Sequence, residues 1–288
     1  MTLSYSRGNA AEPEEPGTRA SSRSASLDRR DALAVQAAND GAIEAEIHEG
    51  WDVFGIPHGG YLTALAANAT LLASGKPDVF TISVHFLRKA KVGAMRFDVQ
   101  RVGGSRRLST YAAIGRQPGD DRAVLSAMVS VGDATSLTGP TWTDRPRPAC
   151  TALHDVTVSD GASFSPPNIA RRMGLKLDPA TLAFAEGRTS ERAEIRGVAD
   201  IAHADVLAAL VVCDLTPPAI WNALGAKGWV PTLELTAHVR QRPVAGPLAV
   251  SATTREVTGG LLEEDALVHD AEGHLIVQSR QLALFSGS

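Results

Sequence analysis

An almost entirely apolar segment with a single acidic residue lies between Asp205 and the Pro217-Pro218 pair. Its eleven residues, VLAALVVCDLT, are apolar except for Asp214 and Thr216. Ala, Leu and Val take nearly every position around the helical wheel, which predicts a helix buried on all sides. Asp205 can cap its start, and the proline pair cannot continue it past Thr216. The rest of the chain must therefore enclose this helix.

Asp214 is the first candidate for a functional group. An ionised carboxylate inside an apolar helix is costly unless it is paired, hydrogen-bonded or shifted in pKa, and such acids concentrate at functional sites. The alternative is that the helix reaches the surface there and Asp214 is solvated. The neighbouring Cys213 points about a hundred degrees away on a helix, and we expect it to be a small buried apolar residue.

A second apolar helix is predicted in the first half of the chain, over residues 62–74. Its sequence, LTALAANATLLAS, is uncharged and is followed by the turn residues GKP. It is preceded by His58, Gly59, Gly60 and Tyr61. Glycines at a helix start allow a close backbone approach and leave N–H groups free for a ligand. A glycine pair can also meet a purely steric need, and His58 can be a simple loop cap.

Strand patterns surround both helices in the same order. In each half one strand precedes the apolar helix and four follow it. The equivalent strands TISVHFLR and TLELTAHVR lie about 150 residues apart, which indicates a tandem duplication. The predicted strands are residues 43–48, 79–87, 95–102, 109–116 and 123–131 in the first half, and 193–201, 232–239, 248–257, 262–269 and 275–285 in the second.

Two antiparallel sheets, each curled around its own apolar helix, satisfy this pattern, and pairing the two sheets removes two exposed edges. We therefore predict an α+β fold in which the hotdog arrangement occurs twice. The expected units are a disordered tail over residues 1–30, which has almost nothing to bury, a first hotdog domain over 31–135, a Pro- and Ser-rich linker over 136–165, and a second hotdog domain over 166–288.

The composition excludes several classes of function. The 288 residues are 44% apolar and 21% charged, and the net charge is −4, which gives no electrostatic case for nucleic acid or an anionic membrane surface. No segment approaches the length of a membrane span, and a signal-peptide core is absent. Two cysteines do not make a disulfide framework, which favours a cytoplasmic protein. The eight histidines show no metal-ligand spacing.

Five motifs occur in order along residues 35–286. The first half contributes W-x-x-x-G-x-x-H-G-G-Y at residues 51–61 and the strand SVHFLRKA. The second half contributes VVCDLTPPA, PTLELTAHVRQRP and the closing DAEGHLIVQSRQLAL. Each motif is a modest signal, but five at the correct spacing are specific. In these motifs the chain resembles the double-hotdog acyl-CoA thioesterases of the TesB-like, type II group.

The resemblance implies hydrolysis of acyl-CoA to a free acid and CoA by an Asp, a Thr and a Gln that position a water molecule. These residues correspond to Asp214, to Thr232 at the start of the TLELTAHV strand, and to Gln281 in SRQLAL. The strand is one residue longer here than in better-known members, so Thr236 is the alternative to Thr232. Asp214 would act as a general base, which is the simpler mechanism, or as a nucleophile.

The same resemblance gives roles to other parts of the chain. Backbone N–H groups around His58, Gly59, Gly60 and Tyr61 would face the developing oxyanion across the interface between the halves. The first apolar helix has no acid at the matching place, so one working site per chain is expected. The phosphates of CoA could meet one of two basic clusters, the first containing Arg88, Lys89 and Lys91, and the second Arg240 and Arg242. The alternative for either cluster is a solvated strand end.

The expected partner is an acyl-CoA substrate, with no metal or redox cofactor, no nucleic acid and no membrane. A homo-oligomer is expected because sheet edges are exposed. Two alternatives stay open. One is a hotdog dehydratase or hydratase acting on acyl-CoA, although neither helix shows the acid-plus-His pairing of those enzymes. The other is a catalytically silent protein of the same fold that binds acyl thioesters.

Overall fold

The computed structural model describes residues 28–144 and 166–285. The predicted tail up to residue 27, Cys150 and positions 145–165 of the predicted linker lie outside these residues. The described part begins with a short helix, α1 (Arg29–Ala32). The buried Arg29 side chain donates hydrogen bonds of 3.0 and 2.9 Å to the Asp205 carboxylate. This ion pair ties α1, whose first two residues belong to the predicted tail, to the second half of the chain.

The ten predicted strands are all present, with ends that differ by a few residues. In the first half they are β2 (Ile43–Ile47), β5 (Asp78–Phe86), β6 (Gly93–Gly104), β7 (Leu108–Gln117) and β8 (Asp120–Gly132). In the second half they are β10 (Ala193–Ala199), β11 (Thr232–Val239), β12 (Leu248–Thr254), β14 (Leu261–His269) and β15 (Leu275–Leu284). Shorter strands that the sequence did not reveal are β1 (Val35–Ala37), β3 (Asp52–Val53), β4 (Ile56–Pro57), β9 (Leu175–Leu177) and β13 (Val257–Thr258).

Apart from β3 and β4, which pair with each other, the strands of the described residues form one antiparallel sheet. Its order is β1-β2-β6-β7-β8-β5-β11-β15-β14-β12-β10-β9, with β13 paired to β14. The halves join where β5 pairs with β11, with Ser83 opposite Thr236. Outward from this joint, the equivalent strands follow the same order in both halves. This is the topology that a tandem duplication predicts.

The two apolar helices lie against the sheet and against each other. The first, α2 (Gly59–Ser74), begins one turn earlier than predicted, with His58 as its N-cap, and ends at Gly75 in a left-handed conformation. It contacts β1, β2 and β5 to β8 of its own half. The second, α4 (Val206–Val212), contacts α2, β12 and β15. Most side chains of both helices are buried, which explains their lack of a polar face.

The helix α4 is shorter than the predicted span to Thr216. Asp205 caps its start as expected, by accepting a hydrogen bond from the Ala208 N–H. The helix ends at Val212, and the chain then turns, with the Asp214 N–H donating to the carbonyl of Val211. The two prolines that follow cannot supply helical hydrogen bonds, so the helix stops before them. Asp214 therefore lies two residues beyond the end of the helix and not inside it.

Two further short helices, α3 (Asn168–Arg172) and α5 (Trp221–Leu224), lie in the second half. The helix α5 follows the Pro217-Pro218 pair and packs near β10. Across the described ranges, no helix combines the length and the apolar character that a membrane crossing requires.

Candidate active site

A cavity of about 620 Å³ is lined by residues from both halves of the chain. Its polar lining includes His58 and Gly59 from the first half and Asp214, Thr232 and Gln281 from the second. Most of the remaining lining is apolar, for example Leu62, Phe86, Leu177, Phe184, Trp221 and Leu262. The three residues for which the sequence predicted catalytic roles therefore share one apolar cavity, and the first two residues of the motif H-G-G-Y line the same cavity.

Asp214 is held against the start of α2. Its Oδ2 accepts a hydrogen bond of 2.7 Å from the Gly60 N–H, and its backbone oxygen lies 2.8 Å from His58 Nε2. His58 Nδ1 accepts a hydrogen bond from the Tyr61 N–H at 3.2 Å. A neutral imidazole has one donor and one acceptor nitrogen, so this pattern assigns the proton to Nε2. The alternative that Asp214 is simply solvated is not supported, because its side chain is 10% exposed and hydrogen-bonded.

The close approach of α2 and α4 requires a glycine at Gly60, and Gly59 faces the Asp214 side chain. A Cβ atom on Gly59 would lie 2.8 Å from Asp214 Oδ2. A Cβ atom on Gly60 would lie 2.8 Å from the carbonyl oxygen of Val211 and 3.0 Å from Asp214 Cβ. Real Cβ atoms essentially never come this close to backbone oxygens. The glycine pair therefore has the steric function that the sequence left open, and it brings a helix start to the carboxylate.

The predicted set of free N–H donors at this helix start needs correction. The Gly60 N–H donates to Asp214 and the Tyr61 N–H donates to His58. Tyr61 is fully buried, and its hydroxyl donates to the Ala32 carbonyl, so it does not reach the cavity. Among the described residues, the N–H of Gly59 has no hydrogen-bond partner, and Gly59 lines the cavity. The first turn of α2 thus keeps one donor for a ligand, because Asp214 and the cap take the other two.

Thr232 and Gln281 form a hydrogen-bonded pair on neighbouring strands. Thr232 Oγ1 donates to Gln281 Oε1 at 2.6 Å. The pairing of β11 with β15 contains a bulge between Thr232 and Glu234, so that Thr232 lies opposite Ala283. The bulge turns Thr232 towards the cavity.

Thr236, the alternative hydroxyl, lies on the other face of the sheet. Its Oγ1 donates to Glu234 Oε1, and both residues line a separate surface depression with Arg280 and Gln278. Without the bulge, Thr232 would share this outer face because side chains in a strand alternate. The geometry therefore brings Thr232, and not Thr236, to Asp214 and Gln281.

Glu264 is a second buried carboxyl in the cavity that the sequence analysis missed. Its Oε1 accepts a hydrogen bond of 3.0 Å from Gln281 Nε2, and its Oε2 accepts one of 2.6 Å from the Ala219 N–H. The sequence did contain a signal. Along β14 the alternating residues Leu262, Glu264 and Ala266 are buried, and the two apolar members of this series mark the inward face.

Both carboxyl groups have pKa values above their usual ones. Burial raises the pKa of Asp214, and the nearby His58, the Gly60 N–H and the Gln281 side chain oppose this rise. Burial also raises the pKa of Glu264 to about 7, opposed by the Ala219 N–H and reinforced by Asp214. Burial raises the pKa of the Cys213 thiol to about 12, which removes it as a nucleophile at neutral pH. Cys213 is a buried apolar residue, as expected.

The raised pKa of Glu264 predicts a pH dependence of stability. A carboxyl group with a higher pKa in the folded chain stabilises the fold below the unfolded pKa, and this contribution is lost as pH rises through the folded pKa. For a pKa raised from 4.5 to about 7 the full effect is about 3 kcal/mol. We expect the unfolding free energy of the wild type, relative to Glu264→Gln, to fall by about 1 to 3 kcal/mol between about pH 5 and about pH 8. Denaturant unfolding at a series of pH values measures this, and parallel curves would contradict it.

The two basic clusters differ in their relation to the cavity. Arg88 and Lys89 of the first cluster line it. Arg242 of the second cluster donates to the Asp78 carboxylate from Nε at 2.6 Å and from Nη2 at 2.9 Å, and it is not part of the cavity lining. The cavity is therefore lined by residues of the first cluster, of which Arg88 also donates a hydrogen bond of 2.6 Å to Asp120.

Comparison with known proteins follows the same division into halves. Residues 47–132 match the acyl-CoA thioesterase N-terminal domain, and residues 150–285 match the acyl-CoA thioesterase C-terminal domain. A protein of Mycobacterium tuberculosis without an assigned function is 29% identical over 270 residues, which cover 84% of this chain and 90% of the relative.

Two solved structures show the likeness in three dimensions. A candidate thioesterase II of Thermobifida fusca YX is 28% identical with a TM-score of 0.76, and the match covers 90% of this chain and 97% of the other. A protein of unknown function with a hot dog fold from Alicyclobacillus acidocaldarius is 17% identical with a TM-score of 0.69, and the match covers 88% of this chain and 96% of the other. The second likeness shows the fold alone.

Proposed function

The chain belongs to the TesB-like, type II acyl-CoA thioesterases and is a thioester hydrolase, and from this premise we propose that Asp214, Thr232 and Gln281 hold the water that cleaves an acyl-CoA to the free acid and CoA. The observation that carries the proposal is the shared cavity. In it a carboxylate of raised pKa lies beside a hydroxyl–amide pair supplied by two separate strands.

The hydrolytic step needs a base, a positioned water and a donor for the oxyanion. The water oxygen attacks the thioester carbon while its proton passes to the Asp214 carboxylate. The C–S bond then breaks, and the sulfur leaves as the thiolate of CoA and takes up a proton. A carboxylate whose pKa is raised by burial is a stronger base than an exposed one. Orientation of the water by Thr232 and Gln281 can lower the barrier by several kcal/mol.

The oxyanion is assigned to the N-terminus of α2. The Gly59 N–H has no partner among the residues that the structure describes, and the positive end of a 16-residue helix favours negative charge. His58 is given a positioning role, because its ring bonds both the Asp214 backbone and the Tyr61 N–H. The first half thus completes the site whose carboxylate the second half provides.

The other features of the proposal concern substrate and assembly. The apolar walls of the cavity suit an acyl chain, and Arg88 and Lys89 suit the phosphates of CoA. We infer a double hotdog with one active site per chain and with domains near residues 31–135 and 166–288. We also infer that the protein is cytoplasmic and that it self-associates through exposed sheet edges.

A panel of acyl-CoA thioesters of different chain lengths tests the function directly. The wild-type chain is expected to release thiol from at least one of them with saturation kinetics. Formation of a hydrated or dehydrated acyl-CoA without thiol release would favour a dehydratase or hydratase. Tight binding without turnover would favour a catalytically silent acyl-binding protein.

The hydroxyl of Thr232 has a matched control on the same strand. We expect Thr232→Val to lower kcat by about 10- to 100-fold, because the isosteric side chain keeps the packing and loses the hydrogen bond to Gln281 and to the water. Thr236→Val removes a hydroxyl that faces away from the cavity and is expected to leave kcat unchanged. Steady-state kinetics of the two variants decide the question. A larger loss in Thr236→Val than in Thr232→Val would contradict the assignment.

A further inference from the structure

Glu264 has no part in the three-residue mechanism, although it lines the same cavity. It lies directly opposite Gln281 in the pairing of β14 with β15. Its side chain is buried, and both carboxylate oxygens accept hydrogen bonds, one from the Gln281 amide and one from the Ala219 N–H. A buried carboxyl with both oxygens committed to donors is a costly arrangement, and it stands next to the residue that is to orient the water.

We propose that Glu264 is a positioning residue, whose carboxylate fixes the direction of the Gln281 amide and through it the direction of the Thr232 hydroxyl. The proposal rests on the function proposed above and adds a fourth residue to that site.

The direction of an amide is decided by its partners, since its two ends are nearly the same shape. Thr232 cannot decide it, because a hydroxyl can either donate or accept. Glu264 can, because an ionised carboxylate only accepts. If the Gln281 amide were reversed, its Oε1 would face the carboxylate and no hydrogen bond would form. The observed arrangement, with Nε2 towards Glu264 and Oε1 towards Thr232, is therefore the one that the carboxylate imposes.

This direction passes on to the water. Because Gln281 Oε1 is an acceptor, the Thr232 hydroxyl must give its hydrogen to it, and the Thr232 oxygen is left to accept. A water in the cavity can then donate one hydrogen to Thr232 and the other to Asp214, which leaves an oxygen lone pair for the thioester carbon. The second N–H of Gln281 remains available towards Asp214. A reversed amide would let the Thr232 hydroxyl point at the water and compete with Asp214.

Glu264 must be ionised to set the direction of the Gln281 amide, because only the ionised carboxylate is purely an acceptor. Asp214 and Glu263 are the acids that act on Glu264 electrostatically, and His58 Nε2 lies 3.5 Å from Asp214 Oδ2. Burial raises the pKa of Glu264 to about 7. Protonation of Glu264 leaves one acceptor oxygen for two donors, the Gln281 amide and the Ala219 N–H. The hydrogen bond that orients Gln281 therefore weakens as the pH falls.

The test is Glu264→Gln, with Glu263→Gln as the matched control on the same strand. Glu263 accepts hydrogen bonds from backbone N–H groups at residues 255 and 256, away from the cavity. Glu264→Gln places an NH₂ group among donors, so we expect kcat to fall by about 10- to 100-fold with KM within about threefold of the wild type. Glu263→Gln is expected to keep the wild-type kcat. Wild-type kcat in a folded Glu264→Gln protein overturns the proposal.

A double-variant cycle separates positioning from a general structural effect. Gln281→Met removes the amide, and in that background Glu264→Gln is expected to cause no further loss of kcat. A loss that persists undiminished there would show that Glu264 does not act through Gln281, and would overturn the inference while leaving the thioesterase function intact.

A readout on the wild type covers the cases in which Glu264→Gln does not fold or no acyl-CoA is hydrolysed. In nitrogen-15 spectra the Gln281 side-chain amide, identified by its loss in Gln281→Met, is expected to shift as Glu264 titrates. An amide signal that does not change with pH overturns the inference.

Discussion

Asp214→Asn is expected to lower kcat for acyl-CoA hydrolysis by about 10³-fold, with the fold retained. The reason is that an amide of the same shape can still accept the hydrogen bond from the Gly60 N–H but cannot take a proton from water, and general-base catalysis contributes about 10² to 10⁴-fold. Thiol release from the best acyl-CoA of the panel gives kcat, and thermal unfolding monitors the fold. Loss of the buried charge is not expected to lower the melting temperature, since burial disfavours the ionised form of Asp214.

Asp265→Asn is the matched control for this variant. Asp265 forms a two-point ion pair with Arg280 on the outer face of the sheet and is expected to be dispensable for turnover. Unchanged kcat in folded Asp214→Asn would remove the carboxylate from the mechanism, whatever else the cavity does.

Gly60→Ala is expected to damage both stability and catalysis. The added methyl group would lie 2.8 Å from the Val211 carbonyl oxygen and 3.0 Å from Asp214 Cβ. Relief of these contacts requires a shift of the α4 backbone or of the turn that holds Asp214, and both shifts cost free energy. Overpacking of this kind costs about 1 to 3 kcal/mol of unfolding free energy. Because α2 must move away from the Asp214 turn, we also expect kcat/KM to fall by about 10²-fold.

The control for Gly60→Ala is Gly139→Ala. A Cβ atom on Gly139 would meet nothing within 4 Å, and its φ is not in the left-handed region, so neither stability nor activity is expected to change. Denaturant unfolding and thiol release measure the two effects separately. A Gly60→Ala protein as stable and active as the wild type would show that the two helices do not need their close approach.

The fold could be predicted from the sequence because two patterns, the apolar helices and the repeated order of alternating strands, do not depend on exact element ends. A helix without a polar face must be enclosed, and alternating strands in a repeated order fix the sheet that encloses it. The ends of α4 were less predictable. The prolines forbid helix beyond Thr216, but the chain had already left the helix after Val212, because hydrogen bonding to the other half holds the Asp214 turn.

Motif positions were enough to predict Asp214 and Gln281. The orientation of Thr232 and the role of Glu264 depend on strand geometry and were harder to predict. The orientation of Thr232 depends on a bulge that was not predicted from the sequence, so Thr236 stayed open as the alternative. Glu264 follows from simple alternation along β14, and was missed because it stands in an acidic run, E-E-D, that looks like a solvated strand end. The number of free N–H groups after the glycine pair could not be known without the position of Asp214, which uses one of them.

The central chemical claim is that a water held by Asp214 attacks the thioester directly, and one measurement tests it most closely. Wild-type enzyme in excess over an acyl-CoA is allowed a single turnover in oxygen-18 water, and both the product acid and the peptide containing Asp214 are analysed by mass spectrometry. We predict that the acid carries one heavy oxygen from the first turnover and that the Asp214 peptide carries none. An unlabelled first-turnover acid, or label in the Asp214 carboxylate, would contradict direct attack by water and show that Asp214 is acylated.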